Sequence, residues 1–537
     1  MTHRLPLRPV FLPLVCLGLL TGCAHESAAT RPNAPAPVVA TESGPVRGIA
    51  LAKGGARFLD IPFAAPPTGA RRFRAPEPPA PWTEPRDATR PGKSCPQVDP
   101  FRGGGVDADE DCLHLNVWTP SLDKDARAPV MVFIHGGGFL FGSNSMDLYD
   151  GTALSDAGVV VVSINYRIGA LGFLAHPALS AEEGAHQSSS NYGLMDQQLA
   201  LRWVRANIAR FGGDPERVTL FGESAGAVSI GLQMISPGAE GLFHRAIFQS
   251  GTGHITRVPL RDPGTAEEDS AEERGQRLAR DVGCTGADVP ACLRAVPAEK
   301  LVAAGETNVD LVNRRIAFGP TVDGHVVPDQ PRSLYAEAKH LKIPVLLGTN
   351  EDEGSLFTIR AKIDSAARYE EILRAHSPEN AEKMLALYPV KENGSPRGAY
   401  NHVLRDALFL CPARQLARTM VEHGQKVYAY QFTHAPKNFF TWWNGLGAFH
   451  AAELPFVFGM TRGLLRIDTD KERALSATMI GYWTRFATSG DPNGPGAPQW
   501  PEYTRQAEPH LVLDTTGIAQ SAQLDKAHCD ALDGMLK

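Results

Sequence analysis

Six short apolar runs constrain this chain more than any other feature: 130–134, 159–164, 218–221, 246–248, 343–347 and 427–432. Each is nearly continuous in large apolar residues and alanine instead of alternating with polar ones, the pattern of strands covered on both faces. Helical patterns lie between them. Over 194–211, Leu194, Met195, Leu199, Trp203, Val204, Ile208 and Phe211 recur at helical spacing until Gly212-Gly213-Asp214-Pro215 stops them. Buried strands alternating with helices predict an α/β chain: a large, mostly parallel central sheet with helices on both faces. The proline-rich segment 61–91 and the polar stretch 261–280 show neither pattern and are expected to be long surface excursions.

With 43% hydrophobic and 21% charged residues over 537 positions, there is enough apolar material for one extensive core. A net charge of -6 without long basic runs leaves no electrostatic footprint for nucleic acid, so no such partner is expected. The N-terminus differs. His3, Arg4 and Arg8 precede an apolar stretch, 10–20, too short to span a bilayer permanently, which reads as an export signal. It ends in Leu20-Thr21-Gly22-Cys23, which resembles the lipobox of bacterial lipoproteins. That resemblance implies a signal over 1–22, lipidation of Cys23, a Pro/Ala-rich tether over 23–37 and a folded domain over 38–537. Membrane contact would then run through the N-terminal lipid only. Ala24, standing where an aspartate would retain the protein at the inner membrane, favours the outer membrane. The alternative is an ordinary signal with an incidental cysteine.

Setting Cys16 and Cys23 aside leaves Cys95, Cys112, Cys284, Cys292, Cys411 and Cys529, an even number that in an exported chain predicts three disulfides. Six cysteines allow fifteen pairings, although Cys284 and Cys292 are close enough to close a local loop. Zinc is disfavoured, because no CxxC pair is matched by a second pair or a histidine cluster.

The run 217–221 leads directly into Gly222-Glu223-Ser224-Ala225-Gly226, with a helical pattern over 227–234 after it. A G-x-S-x-G at a strand end is the setting of a nucleophile elbow: a tight turn that exposes the serine hydroxyl and aims a helix N-terminus at developing negative charge. Alone the pentapeptide is weak evidence. Upstream, the run 130–134 opens into His135-Gly136-Gly137-Gly138-Phe139, whose glycines can turn several N–H groups toward one point. Gly137, Gly138 and Ala225 are the candidate oxyanion donors. A serine nucleophile needs a base and an orienting acid, which follow it in chain order in this architecture. The run 343–347 ends in Gly348-Thr349-Asn350-Glu351-Asp352-Glu353-Gly354, so one of three carboxylates at a strand end is the expected acid. His450, in a small-residue loop, is the expected base. His434 is the runner-up, while His402, His423 and His528 sit among charges and are expected to be solvated. None of this chemistry calls for a cofactor.

With these residues in hand, the chain resembles the type-B carboxylesterase/lipase family of α/β-hydrolases, which includes cholinesterases and para-nitrobenzyl esterases. The resemblance covers nearly everything after the tether. It is carried by Phe58-Leu59-Asp60-Ile61-Pro62-Phe63-Ala64, Glu110-Asp111-Cys112-Leu113, the glycine loop after His135, Asn191-Tyr192-Gly193-Leu194, the Ser224 pentapeptide, Phe248-Gln249-Ser250-Gly251 and Gly490-Asp491-Pro492-Asn493. It implies an α/β-hydrolase fold and a serine carboxylesterase acting on a small-molecule ester. It selects Glu353 over Asp352 as the acid and His450 as the base, and gives Glu223 a supporting charge beside His450. It also implies the pairs Cys95–Cys112, Cys284–Cys292 and Cys411–Cys529. Ser250 and Glu453 match a polar pair of that family, for which structural hydrogen bonding is an equal reading.

Leu356, followed by Phe357, stands where cholinesterases carry an aromatic that holds a quaternary ammonium, and the Arg102 region offers no clear tryptophan; a choline substrate is therefore disfavoured. Ile316 and Phe318 are candidates for the acyl side. Phe439, Phe440, Trp442 and Trp443 fit an aromatic entrance or core equally well. Rival functions are a lipase or an acyltransferase with the same triad, and a non-catalytic adhesion module, which the presence of serine, acid and histidine disfavours.

Overall fold

Among the described residues, eleven strands form one sheet: β1 (Ile49–Ala50), β2 (Ala56–Pro62), β3 (His114–Thr119), β4 (Ala128–Ile134), β5 (Val160–Ile164), β6 (Gly213–Glu223), β7 (Arg245–Gln249), β8 (Val345–Asn350), β9 (Val427–Phe432), β10 (Pro509–Leu513) and β11 (Ala519–Ala522). Their order is β11-β10-β9-β8-β7-β6-β4-β5-β3-β2-β1. Neighbours from β10 through β5 pair in parallel, and antiparallel strands close both margins. This computed structural model describes residues 35–98, 107–184, 186–256, 258–261, 269–305, 318–436 and 439–535. The expected signal, Cys23 and most of the tether lie outside the described residues, as do Arg102, Ile316 and the side chains of Phe439, Phe440 and Trp442.

The unbroken apolar runs have a direct cause. In β4, Val130, Val132 and Ile134 enter one core while Met131 and Phe133 enter the other, so every position needs an apolar side chain. Each such side chain contributes about 1.5–3 kcal/mol by leaving water. The covering helices include α1 (Tyr192–Asn207), α2 (Ala225–Gln233), α3 (Ala271–Asp281), α4 (Cys411–Glu422) and α6 (Asp470–Ser489); α5 (Phe439–Asn444) precedes the His450 loop, and α7 (Lys526–Met535) buries Cys529 and Leu532 in a third cluster away from the sheet. Side chains of α1, α2 and α4 fill the first core, and Leu475, Met479 and Trp483 of α6 fill the second.

Three expectations change. The proline-rich segment 61–91 is not all surface, because Ile61 and Pro62 end β2 and Phe63 and Phe73 are buried in the first core. The pattern over 194–211 is an α-helix only to Asn207; a 3-10 turn, Ile208–Phe211, follows, and Gly212 ends it at φ 79. The polar stretch 261–280 is not wholly an excursion, because α3 begins inside it on a capping box between Ser270 and Glu273 and buries Leu278 and Ala279. The sulfurs pair as Cys95–Cys112, Cys284–Cys292 and Cys411–Cys529, with Cα separations of 5.0, 5.6 and 5.1 Å.

From β4 the chain passes to β5 on one side and then to β6 on the other. That reversal opens a crevice at the carboxyl ends of β4 and β6, where ligands enter open α/β sheets.

Candidate active site

Ser224 joins β6 to α2 with φ 55 and ψ -120, a left-handed conformation that costs a non-glycine residue about 1–3 kcal/mol. The surroundings over-determine it. Ser224 N–H donates to the Gln249 carbonyl at 2.8 Å, and the Ser224 carbonyl accepts from Val228 N–H at 2.9 Å. A Cβ on Gly226 would overlap the Ile134 carbonyl oxygen, so strand and helix can meet this closely only with glycine there. The serine stays half-buried at the turn.

The loop after β4 lies against this turn: a Cβ on Gly136 would stand 3.2 Å from Ser224 Cβ. Gly137, Gly138 and Phe139 have φ of 104, 61 and 63, and the Gly137 carbonyl is held by Leu140 and Phe141 N–H at 3.0 and 3.1 Å. Among the described residues, no protein acceptor takes the N–H of Gly137, Gly138 or Ala225. His135 braces the loop: it stacks on Tyr166 at 4.5 Å, its carbonyl accepts from the Tyr166 hydroxyl at 2.9 Å, and burial pushes its pKa down to about 4. It is a neutral structural ring.

The three carboxylates after β8 separate cleanly. Glu351 is exposed. Asp352 accepts from Ala448 N–H at 2.9 Å and so ties down the loop that carries His450. Glu353 is fully buried; its Oε1 accepts from Asn350 N–H at 2.8 Å and its Oε2 from His450 Nδ1–H at 2.6 Å. On the other side of the ring, His450 Nε2 lies 3.0 Å from Glu223 Oε1, out of hydrogen-bond alignment, and among the described residues it has no hydrogen-bond partner, Ser224 included. Catalytic contacts of this kind often tighten only when substrate is bound. Glu453, fully buried, accepts from Gln249 Nε2 at 2.9 Å and Asn350 Nδ2 at 2.6 Å, so Asn350 links it to Glu353.

Burial alone lowers the pKa of His450, but Glu223 and Glu353 outweigh it and hold it up at about 9. Glu223 is pushed up to about 8: burial raises it most, His450 pulls it back, and Glu453 and Glu353 add to the rise. An imidazole among buried carboxylates is arranged to accept a proton and hold it as a cation.

The remaining histidines are elsewhere. His434 lies between Glu472 and Thr515, each at 3.0 Å, and belongs to the packing around α6. His402, His423 and His528 are half-buried and so remain partly open to solvent; His402 contacts Asn393 and His528 stacks on Tyr388 at 5.1 Å. Phe318 is in the first core. Trp443 is 70% exposed, so it is not core. Sequence reasoning missed Asn350 and Phe409, whose ring lies 4.8 Å from that of His450. Asn350 had a signal, since it sits in the same strand-end segment as the acid; Phe409 had none.

Residues 35–532 match the carboxylesterase family. The chain is 34% identical to an acetylcholinesterase of Bungarus fasciatus, over 96% of this chain and 87% of that protein. It is 35% identical to a cholinesterase of Mus musculus, over 92% and 85%. It is also 35% identical to a fumonisin B1 esterase of Sphingopyxis macrogoltabida, over 91% and 88%. An α/β sheet with this crevice, and likeness to esterases along almost the whole length, make the chain a member of the carboxylesterase family and a carboxylic-ester hydrolase.

Proposed function

We propose that the protein hydrolyses carboxylic esters through an acyl-enzyme on Ser224, with His450 as base and Glu353 as its orienting acid. The observation that carries this is the buried 2.6 Å contact between Glu353 and His450, whose other nitrogen reaches Glu223, the residue adjoining the strained Ser224 turn. His450 Nε2 takes the Ser224 proton as Oγ attacks the ester carbonyl. The tetrahedral oxyanion accepts hydrogen bonds from Gly137, Gly138 and Ala225, each such donor being worth about 3 kcal/mol. The carbon–oxygen bond to the alcohol then breaks and His450 returns the proton to the leaving alcohol. Water repeats the attack, and the acid departs.

The substrate class we propose is a carboxylic ester without a quaternary ammonium. Leu356 packs, half-buried, at the edge of the second core where an aromatic would be needed to hold such a cation. The test is Ser224→Ala: turnover of para-nitrophenyl butyrate should fall by about 10⁴-fold or more while the thermal midpoint stays within a few degrees. Retained turnover would sink the assignment.

A further inference from the structure

Between the helix Pro396–Arg405 and α4, the backbone widens into a π-turn, Asp406–Leu410. A π-turn adds a residue to one helical turn, is poorly populated, and recurs at functional sites. Here the turn carries Phe409, which is buried against the imidazole of His450 at 4.8 Å between centroids, with the planes at 45°. Phe357 meets the same imidazole at 4.9 Å and 50°. The two phenyl rings also stack on each other, at 5.8 Å and 12°.

The turn is fastened at both ends. Asp406, fully buried at its start, accepts from the Tyr388 hydroxyl at 2.9 Å and from Arg405 Nε at 2.6 Å, and Arg405 also pairs with Asp525. Cys411, immediately after the turn, is bonded to Cys529 on α7. Such anchoring fixes where Phe409 stands.

The imidazole itself is held by one hydrogen bond, through Nδ1, while Nε2 makes none. One bond sets an axis about which the ring can tilt. The carboxylate of Glu223 lies 3.0 Å from Nε2 but out of hydrogen-bond alignment, the position a small tilt of the ring would convert into a bond. We propose that Phe409 is a positioning residue: delivered by the π-turn, it forms with Phe357 an aromatic clamp that fixes the plane of the His450 ring, so that Nε2 stays out of hydrogen-bond alignment with the neighbouring Glu223 carboxylate and remains free to take the Ser224 proton. This rests on His450 being the base.

The experiment compares Phe409→Ala, Phe409→Leu and Phe409→Tyr with the wild-type enzyme on para-nitrophenyl acetate, with His450→Ala as reference. In the alanine and leucine variants kcat should fall about 10- to 100-fold with KM within about twofold. The tyrosine variant, which keeps the ring, should stay near wild type. The low-field proton resonance of the Glu353–His450 hydrogen bond should broaden in the first two and persist in the third. Leucine nearly conserves volume, so it separates loss of the aromatic ring from a failure to fold. A wild-type kcat in the leucine variant, or a loss confined to KM, overturns the clamp. Full turnover in His450→Ala would instead overturn the reading of the site on which the clamp depends.

Discussion

Glu223, Glu353 and Glu453 surround a single imidazole with buried carboxylates, and the charges of all three raise the affinity of His450 for a proton. Glu223 is itself pushed toward its neutral form by burial, so Glu223 and His450 compete for one proton. As the proposed base, His450 is competent only while that proton sits on Glu223 or has left the pair. Removing the Glu223 charge should therefore lower the His450 pKa and extend activity to more acidic conditions. For Glu223→Gln, the acid limb of kcat/KM against pH should move down by about one unit, the effect of one nearby opposite charge, while the plateau kcat falls because the imidazolium loses a partner. An acid limb that stays put or moves up would contradict this. At the same scale, Ser224 was legible because its glycines and the preceding strand mark the turn chemically. Glu353 and Asp352 were indistinguishable from composition and position, since both are carboxylates at one strand end; the resemblance chose Glu353, and the structure puts Glu353 on His450 and Asp352 on Ala448 N–H. Phe409 was invisible, because no residue type announces the extra residue of a π-turn.

The loops at the carboxyl ends of β4, β6 and β8 carry the residues proposed for catalysis, and the loop ahead of His450 is fastened to them. Asp352 does this twice: its side chain accepts from Ala448 N–H at 2.9 Å and its own N–H donates to the Ala448 carbonyl at 3.0 Å. Asp352→Ala removes the side-chain bond and should cost about 1–3 kcal/mol of stability, with kcat reduced about tenfold. Asp352→Asn, which keeps an acceptor, should recover most of both. Thermal melts and turnover on one ester check this, and equal losses in the two variants would tell against it. The buried parallel strands were legible because each must be apolar toward two cores. β8 begins at Val345 instead of Ile343 because Pro344 has no N–H for the ladder. The antiparallel margins were not legible: β2 carries Arg57 and Asp60, and β11 is exposed along its length, so neither shows a continuous apolar run.

At the scale of the whole chain, Cys411–Cys529 spans a sequence separation of 118, the longest of the three disulfide loops. Closing a loop of that size removes enough unfolded-state entropy to stabilise by about 4–5 kcal/mol. Cys529→Ser should lower the denaturant midpoint accordingly, and kcat should drop even where the protein remains folded, because Cys411 follows the turn that carries Phe409. An unchanged kcat in the folded variant would show that Asp406 and Arg405 suffice to anchor that turn. The same bridge also sets a timetable. Gly137, Gly138 and Ser224 emerge early from the ribosome, yet Glu353 and His450 come much later, and the brace at Cys529 comes after β10 has closed the parallel run. If Ser224, Glu353 and His450 form the centre proposed above, its parts are gathered from positions so far apart that it cannot be complete before most of the chain has been made.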